Sequence, residues 1–309
     1  MSNDQLILME MADGHLFKQI IKKMKSVAGN TSNTLVLMFT PAGLIINVMR
    51  KNNIVLYHVM LESRAMANYI YRVYSSYTDG DLVDMLPYKV IKVEFPKLIA
   101  AIDTSQKDQG ILLRWPFDNG CEGGVQYGRL GVLIKSQVVM TRNSVQIIHN
   151  VDSGDSAPVM VNHITIPYRS ADIKQKLQNI HKNSCDMIIT FSVNEDRIIN
   201  QEPQLLDKLV CTTSTPFAKS NTDDDSYNET HEAVSCWREY TRLPQDMVLD
   251  ECSFKIPTDD VKYIKSVIGI ADKSSTCFFL VPVGKEDNVL SISGFIKEYG
   301  FYQIFIKRC

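Results

Sequence analysis

One unit occurs four times along this chain, and it constrains the fold more than any other feature. An apolar strand runs into a short turn carrying Pro, Ser, Thr or Asp, then an amphipathic helix, then further strands. The four starts are LILMEMADGHLFKQI from Leu6, VIKVEFPKLIAAI from Val90, HITIPYRSADIKQKL from His163 and SFKIPTDDVKYIKSV from Ser253. Their spacing is irregular, roughly 75–90 residues, too long for a solenoid array. Two units per domain suit two related domains, and a length of 309 residues agrees with that.

The turns carry helix-start chemistry. Asp13, Ser170 and Thr258 can each accept a hydrogen bond from an orphan N–H of a first turn. Asp172, Asp259 and Asp260 add negative charge where the helix dipole favours it. Pro96 fits a first turn, where its missing N–H would have no partner. Strand patterns follow each helix, as in TLVLMF, T-P-A-G, LIINVM and IVLYHVML after the first. Helices are few and short and strands many. The expectation is an α+β protein of antiparallel sheets with helices on one face. The stretch VDSGDSAPVMVN is rich in Ser, Gly, Asp and Pro. It divides the chain into residues 1–152, a linker at 153–162, and residues 163–309. A polar segment from Ser214 to Glu232 reads as a long exposed loop. Its triplet Asp223, Asp224 and Asp225 lacks the spacing of a calcium loop.

Composition excludes several classes. With 33 basic and 35 acidic residues, no global positive field advertises a nucleic acid, so any basic feature is local. Seven scattered cysteines without C-x-x-C read as free thiols in a reducing compartment. The N-terminus has no signal-peptide pattern, and no apolar run approaches the ~18 residues of a membrane helix. A soluble, intracellular protein is expected. There is no phosphate-binding P-loop, dinucleotide fingerprint, H-E-x-x-H or G-x-S-x-G. The six histidines lack metal-ligand spacing. The reading is a non-enzyme with no catalytic residues, metal or cofactor.

The helices carry the remaining signal. At 100° per residue, Leu16, Phe17, Ile20, Ile21, Met24, Val27 and Ala28 share one face of the first helix. Lys18, Lys22 and Lys25 form a row off that face, with Lys23 on the other side. In the third helix Ile173, Leu177 and Ile180 make the stripe, flanked by Lys174 and Lys182. In the fourth, Val261, Ile264, Val267 and Ile268 face the core, opposite Lys262 and Lys265. The second helix has only Lys97 near its start. One such face is an ordinary solvated surface. Three in equivalent places, nearly free of acid beyond the first turn, are electrostatically unfavourable unless an anion lies nearby. Duplex phosphates would be such a partner.

This pattern resembles the DNA sliding clamps of the proliferating cell nuclear antigen type. Local sequence agrees loosely in HLFKQIIKKMKSVAG, in GLIINVMRKNNIVLYHVML and in GFIKEYGFYQIFIKRC. The chain is longer than a typical eukaryotic clamp and carries the polar insertion near 214–232, which suits a divergent clamp of viral or otherwise specialised kind. The resemblance implies a two-domain clamp fold, with antiparallel sheets outside and four short helices on an inner concave face. It implies a head-to-tail ring, a homotrimer, that encircles duplex DNA without reading sequence and tethers DNA polymerase and other replication proteins. The hole would be lined by Lys18, Lys22, Lys23, Lys25, Lys97, Lys174, Lys182, Lys262 and Lys265. Partner peptides would dock near Met49, Val159, Met160, Phe305 and Ile306. Protomers would join through a strand carrying Val145, Ile147 and His149 and another carrying Leu209, Cys211 and Thr213. Its place would be a site of DNA replication, in the nucleus or a viral replication compartment. The alternatives are a monomeric or dimeric polymerase accessory factor of the same fold, as in herpesviruses, and a checkpoint-type clamp subunit.

Overall fold

The computed structural model describes residues 5–29, 32–50, 55–74, 85–118, 125–136, 140–148, 158, 163–171, 173–174, 177, 187–193, 208–216, 231–240, 252–271, 274–282 and 288–308. It is an α+β protein of mainly antiparallel sheets. Two compact units are present: Met1–Ala157 with Phe295–Tyr302, and Pro158–Gly294 with Gln303–Cys309. Apart from Pro158, the expected linker lies outside the described residues.

In the first unit, β1 (Leu6–Met11) leads into α1 (Gly14–Ala28), followed by β2 (Thr34–Thr40), β3 (Gly43–Met49) and β4 (Val55–Glu62). After β5 (Asn68–Arg72) the pattern repeats as β6 (Lys89–Glu94), α2 (Phe95–Ile102), β7 (Gly110–Trp115), β10 (Arg129–Lys135) and β11 (Met140–Gln146). A two-stranded ribbon of β8 (Phe117–Asp118) and β9 (Val125–Gln126) interrupts the second repeat. The two repeats exchange their first strands. β1 pairs antiparallel with β7, in the order β11-β10-β7-β1-β5, while β6 pairs with β2 beside β3 and β4.

The second unit follows the same plan. β12 (His163–Arg169) precedes β13 (Met187–Val193), β14 (Lys208–Pro216) and β15 (His231–Tyr240). β16 (Cys252–Ile256), α3 (Thr258–Ile268), β17 (Thr276–Pro282), β18 (Val289–Ile296) and β19 (Gly300–Lys307) follow, with Phe295–Tyr302 of the last two strands and their turn counted in the first unit. Here too the first strands cross over: β12 pairs with β17 and β16 with β13. Of the expected helix after β12, the described residues Ser170, Ala171, Ile173, Lys174 and Leu177 are helical, and the rest lie outside the described set.

Local physics explains the helices. All seven apolar residues assigned to the α1 stripe are buried, at 4 % exposure or less. They pack toward β3 and β7, in sheets whose strands alternate side chains inward, as Ile7, Met9 and Met11 on β1 and Leu35, Leu37 and Phe39 on β2 do. Asp13 Oδ1 accepts from the Leu16 N–H at 2.8 Å, the expected cap. Its other carboxylate oxygen holds Lys297 Nζ at 3.0 Å. α2 starts with Pro96 in its first turn and buries Phe95, Leu98, Ala101 and Ile102. On α3 the four core positions are fully buried and Asp259 and Asp260 stand in the first turn, but Pro257 occupies the cap and no side chain bonds there. The cap expected from Thr258 is therefore displaced by one residue. The expected loop from Ser214 to Glu232 is shorter than it read, because β14 runs on to Pro216 and β15 starts at His231.

The β2–β3 turn admits one residue type. Gly43 has φ 142°, and a Cβ there would lie 2.0 Å from the carbonyl oxygen of Leu61 on β4. The neighbouring backbone is held by the Tyr69 hydroxyl, which donates toward the carbonyls of Thr40 and Gly43 at 2.5 and 3.0 Å. Gly43→Ala is expected to destabilise the protein by more than ~1 kcal/mol, through the left-handed φ and the backbone clash, read as a lower urea midpoint.

Candidate nucleic-acid interface

Lys18 and Lys22 of the α1 row project away from the buried stripe, toward the C-terminal end of α2. Lys18 is only 16 % exposed. Its Nζ donates to the carbonyl oxygens of Asp103, at 2.5 Å, and Ser105, at 3.3 Å. The last carbonyls of a helix lack intrahelical partners, so Lys18 acts as a cross-helix cap for α2. Lys22, one turn on, lies 2.6 Å from Asp103 Oδ1, and Lys18 reaches the same oxygen at 3.3 Å. Hydrogen bonds from Lys22 and then Lys18, reinforced by their charges, hold the Asp103 carboxyl below its ordinary carboxylate range.

Lys25 closes its own helix. It donates to the carbonyls of Gly29 and Ser32 and to Asn33 Oδ1, at 3.1, 3.3 and 3.1 Å, with its ammonium 5.6 Å from the Phe95 ring centroid. Lys23 is part-buried. Lys97 pairs with Glu94 at 2.7 Å, three residues back, both well exposed. In the second unit Lys262 is exposed, 4.8 Å from the Tyr263 ring centroid, while Lys265 and Lys174 are part-buried and Lys182 lies outside the described residues.

These contacts revise the electrostatic premise. The α1 row has an internal anion, Asp103, and two of its three lysines also bond backbone carbonyls at helix ends. Sequence reasoning missed this because Asp103 is 85 positions from Lys18 and directly follows a helix with little charge of its own. Its only sequence signal is an acid just past a helix end, where the helix dipole disfavours it.

Other assigned positions divide clearly. Phe305 and Ile306 are 4 % and 0 % exposed, so their side chains belong to the core and do not line a surface groove. Met49 is part-buried at the end of β3; Val159 and Met160 lie outside the described residues. Val145 and Ile147 are buried, at 2 % and 8 %. Ile147 N–H donates to Gly128 O and bridges toward Val93, so the end of β11 turns back onto its own unit. His149 lies outside the described residues. β11 is nevertheless one of the two outer strands of its sheet, with β5 at the other edge. Leu209, Cys211 and Thr213 sit on β14, which is paired on one side with β13 and on the other with β15. β14 offers no free edge; the outer strands of that sheet are β15, beside it, and β16.

A second basic feature went unread in the sequence. The Lys89 ammonium stands 4.6 Å from the Trp115 ring centroid, and burial pushes its pKa down. Trp115 donates through Nε1 to Tyr127 O at 2.9 Å and meets the Tyr127 ring edge-on. His58, 7 % exposed, shares a 2.8 Å hydrogen bond between Nδ1 and Asn47 Oδ1 and lies 6.0 Å from the Phe301 ring centroid. Burial lowers its pKa from 6.5 to about 4. Among the described residues no three His, Cys, Asp or Glu side chains gather as metal ligands, and no helix is long and apolar enough to cross a membrane.

Lys18→Met, which keeps the apolar stem and removes the cap, is expected to lower unfolding free energy by about 1–2 kcal/mol, while Lys22→Gln leaves the urea midpoint nearly unchanged. His58 is neutral in the folded protein near neutral pH. The unfolded chain takes up its proton first, so stability present above pH 6.5 is lost as pH falls toward 4. The loss attributable to His58 is up to about 3 kcal/mol, and His58→Leu should flatten that part of a stability–pH curve. Compared with models of known protein families and with curated protein sequences, the chain finds no match in either.

Proposed function

We propose that this chain is the protomer of a ring-shaped DNA clamp, a processivity factor that encircles duplex DNA and tethers a DNA polymerase and other replication proteins. The observation that carries the reading is topological. The order strand, helix, then a three-stranded meander occurs in each unit, with first strands exchanged between repeats, and α1, α2 and α3 each carry lysine. Such a duplicated frame suits a wall built from helices and backed by sheets.

The outer strands support assembly. β11 and β15 each end a three-stranded meander, and they belong to different units. An open strand is a template for another chain. Pairing β11 of one protomer with β15 of the next joins unlike surfaces, the head-to-tail arrangement that closes into a ring when the rotation permits. This replaces the β14 edge with β15 in the proposed contact. The resemblance to sliding clamps makes the closed form a homotrimer.

The lysines match this role better than tight binding. Lys18 and Lys25 hold helix ends, which leaves Lys22 and Lys262 as the more open cations on α1 and α3. A topological clamp needs weak, sequence-independent phosphate contact, because leaving DNA requires opening a protein interface. An accessory factor that binds DNA by one open face would need a stronger field than a net charge of −2 suggests.

Light scattering is expected to give a mass near three protomers. Protein loaded on closed circular duplex should be retained and then released when the circle is cut. Lys22→Glu with Lys262→Glu should shorten retention several-fold without changing the mass. A monomer that is released equally from circles and linear DNA overturns the ring reading.

A further inference from the structure

We propose that Asp103 is a built-in competitor for nucleic-acid phosphate: its carboxylate occupies Lys22 in the free protein and yields that lysine to the duplex backbone. The inference rests on the clamp reading above and assigns a limiting residue to the same surface. Three features support it. First, a carboxylate just past the C-terminal end of α2 opposes the helix dipole, so α2 itself does not favour an acid there. What makes the position favourable is the α1 lysine pair, with Oδ1 at 2.6 Å from Lys22 and 3.3 Å from Lys18.

Second, the two lysines are held differently. Lys18 is nearly enclosed and keeps two backbone carbonyls whatever the carboxylate does. Lys22 retains 47 % exposure beside a carboxylate that is itself 54 % exposed. A phosphate oxygen can therefore approach the Lys22 ammonium from solvent and replace the carboxylate without disturbing the α2 cap. Third, exposed ion pairs of this type are weak and screened by salt, so the exchange is readily reversible. The released carboxylate then stands next to the bound phosphate and repels it. Asp103 thus keeps contact with any one phosphate short-lived, which favours movement along the duplex over static binding.

The test measures binding of a short random-sequence duplex by fluorescence anisotropy across a salt series, using the full chain. The proteins are the wild type, Asp103→Asn, Lys22→Gln and the double variant. Asparagine keeps the side-chain size and one oxygen acceptor, and replaces the charged carboxylate with a neutral amide. Asp103→Asn is expected to tighten binding roughly two- to fivefold at low salt, the equilibrium equivalent of one exposed ion pair. It should also steepen the slope of log affinity against log salt by about one. In the double variant both gains should vanish, because the freed lysine is gone. Salt-dependent binding by the wild type that is unchanged in Asp103→Asn overturns this inference and leaves the clamp reading standing. A gain that persists in the double variant also overturns it, since the effect would then be general charge. No salt-dependent binding by any of the four proteins also overturns this inference, whereas the clamp reading is decided separately by retention on closed circles. Thermal unfolding of Asp103→Asn serves as a fold check: equal melting with altered salt slope supports a role in exchange over one in structure.

Discussion

Burial of the α1 apolar stripe is the constraint on which the rest of the first unit depends. Phe17, Ile20, Ile21, Met24 and Val27 are sealed from water. Each such side chain contributes about 1.5–3 kcal/mol relative to exposure, so the helix has little freedom to rotate. Fixing that face fixes the opposite one. Lys18 and Lys22 are carried to the end of α2, where carbonyls without helical partners and the Asp103 carboxylate meet them. The surface electrostatics thus follow from core packing. The same burial aims Lys25 at the end of its own helix, where Gly29 turns the chain and leaves carbonyls to be satisfied.

Charge on this protein is local and largely balanced. A net charge of −2 coexists with lysine-bearing helices, and acids outside the helices reach two of them: Asp103 toward α1 and Glu94 toward Lys97 on α2. A lysine at the rim of a core does two jobs, covering apolar surface with its stem and satisfying carbonyls with its head. Counting cations along a helix therefore overstates the field presented to a ligand. On α1 the geometry separates structural lysines from an open one, and the open one has a neighbouring acid.

Much of the fold was legible because its signals are local. Alternation on β1 and β2, the 3.6-residue stripe of α1, the Asp13 cap and the T-P-A-G turn each depend on residues close in sequence. The helix before β13 and the loop beyond Pro216 were read from the same kind of pattern, but fall largely outside the described residues. What stayed hidden was long-range. Exchange of β1 and β6 between sheets leaves no mark on either strand alone. The Asp103 contact and the Lys89–Trp115 stack join residues that sequence distance conceals. The choice of β15 over β14 as the outer strand turned on pairing order, which an apolar pattern does not encode. Phe305 and Ile306 show the opposite failure, where a place suggested by resemblance put core side chains in a groove.

The crossed first strands bear on how the chain divides. In the first unit neither repeat owns a whole sheet: a cut between β5 and β6 would strip β6 from the meander that contains β2, and β1 from the one that contains β7. Each fragment would then carry the strand the other lacks. The repeats are interlocked halves rather than beads on a string, so a nick in that connection leaves two pieces with reciprocal reasons to stay together.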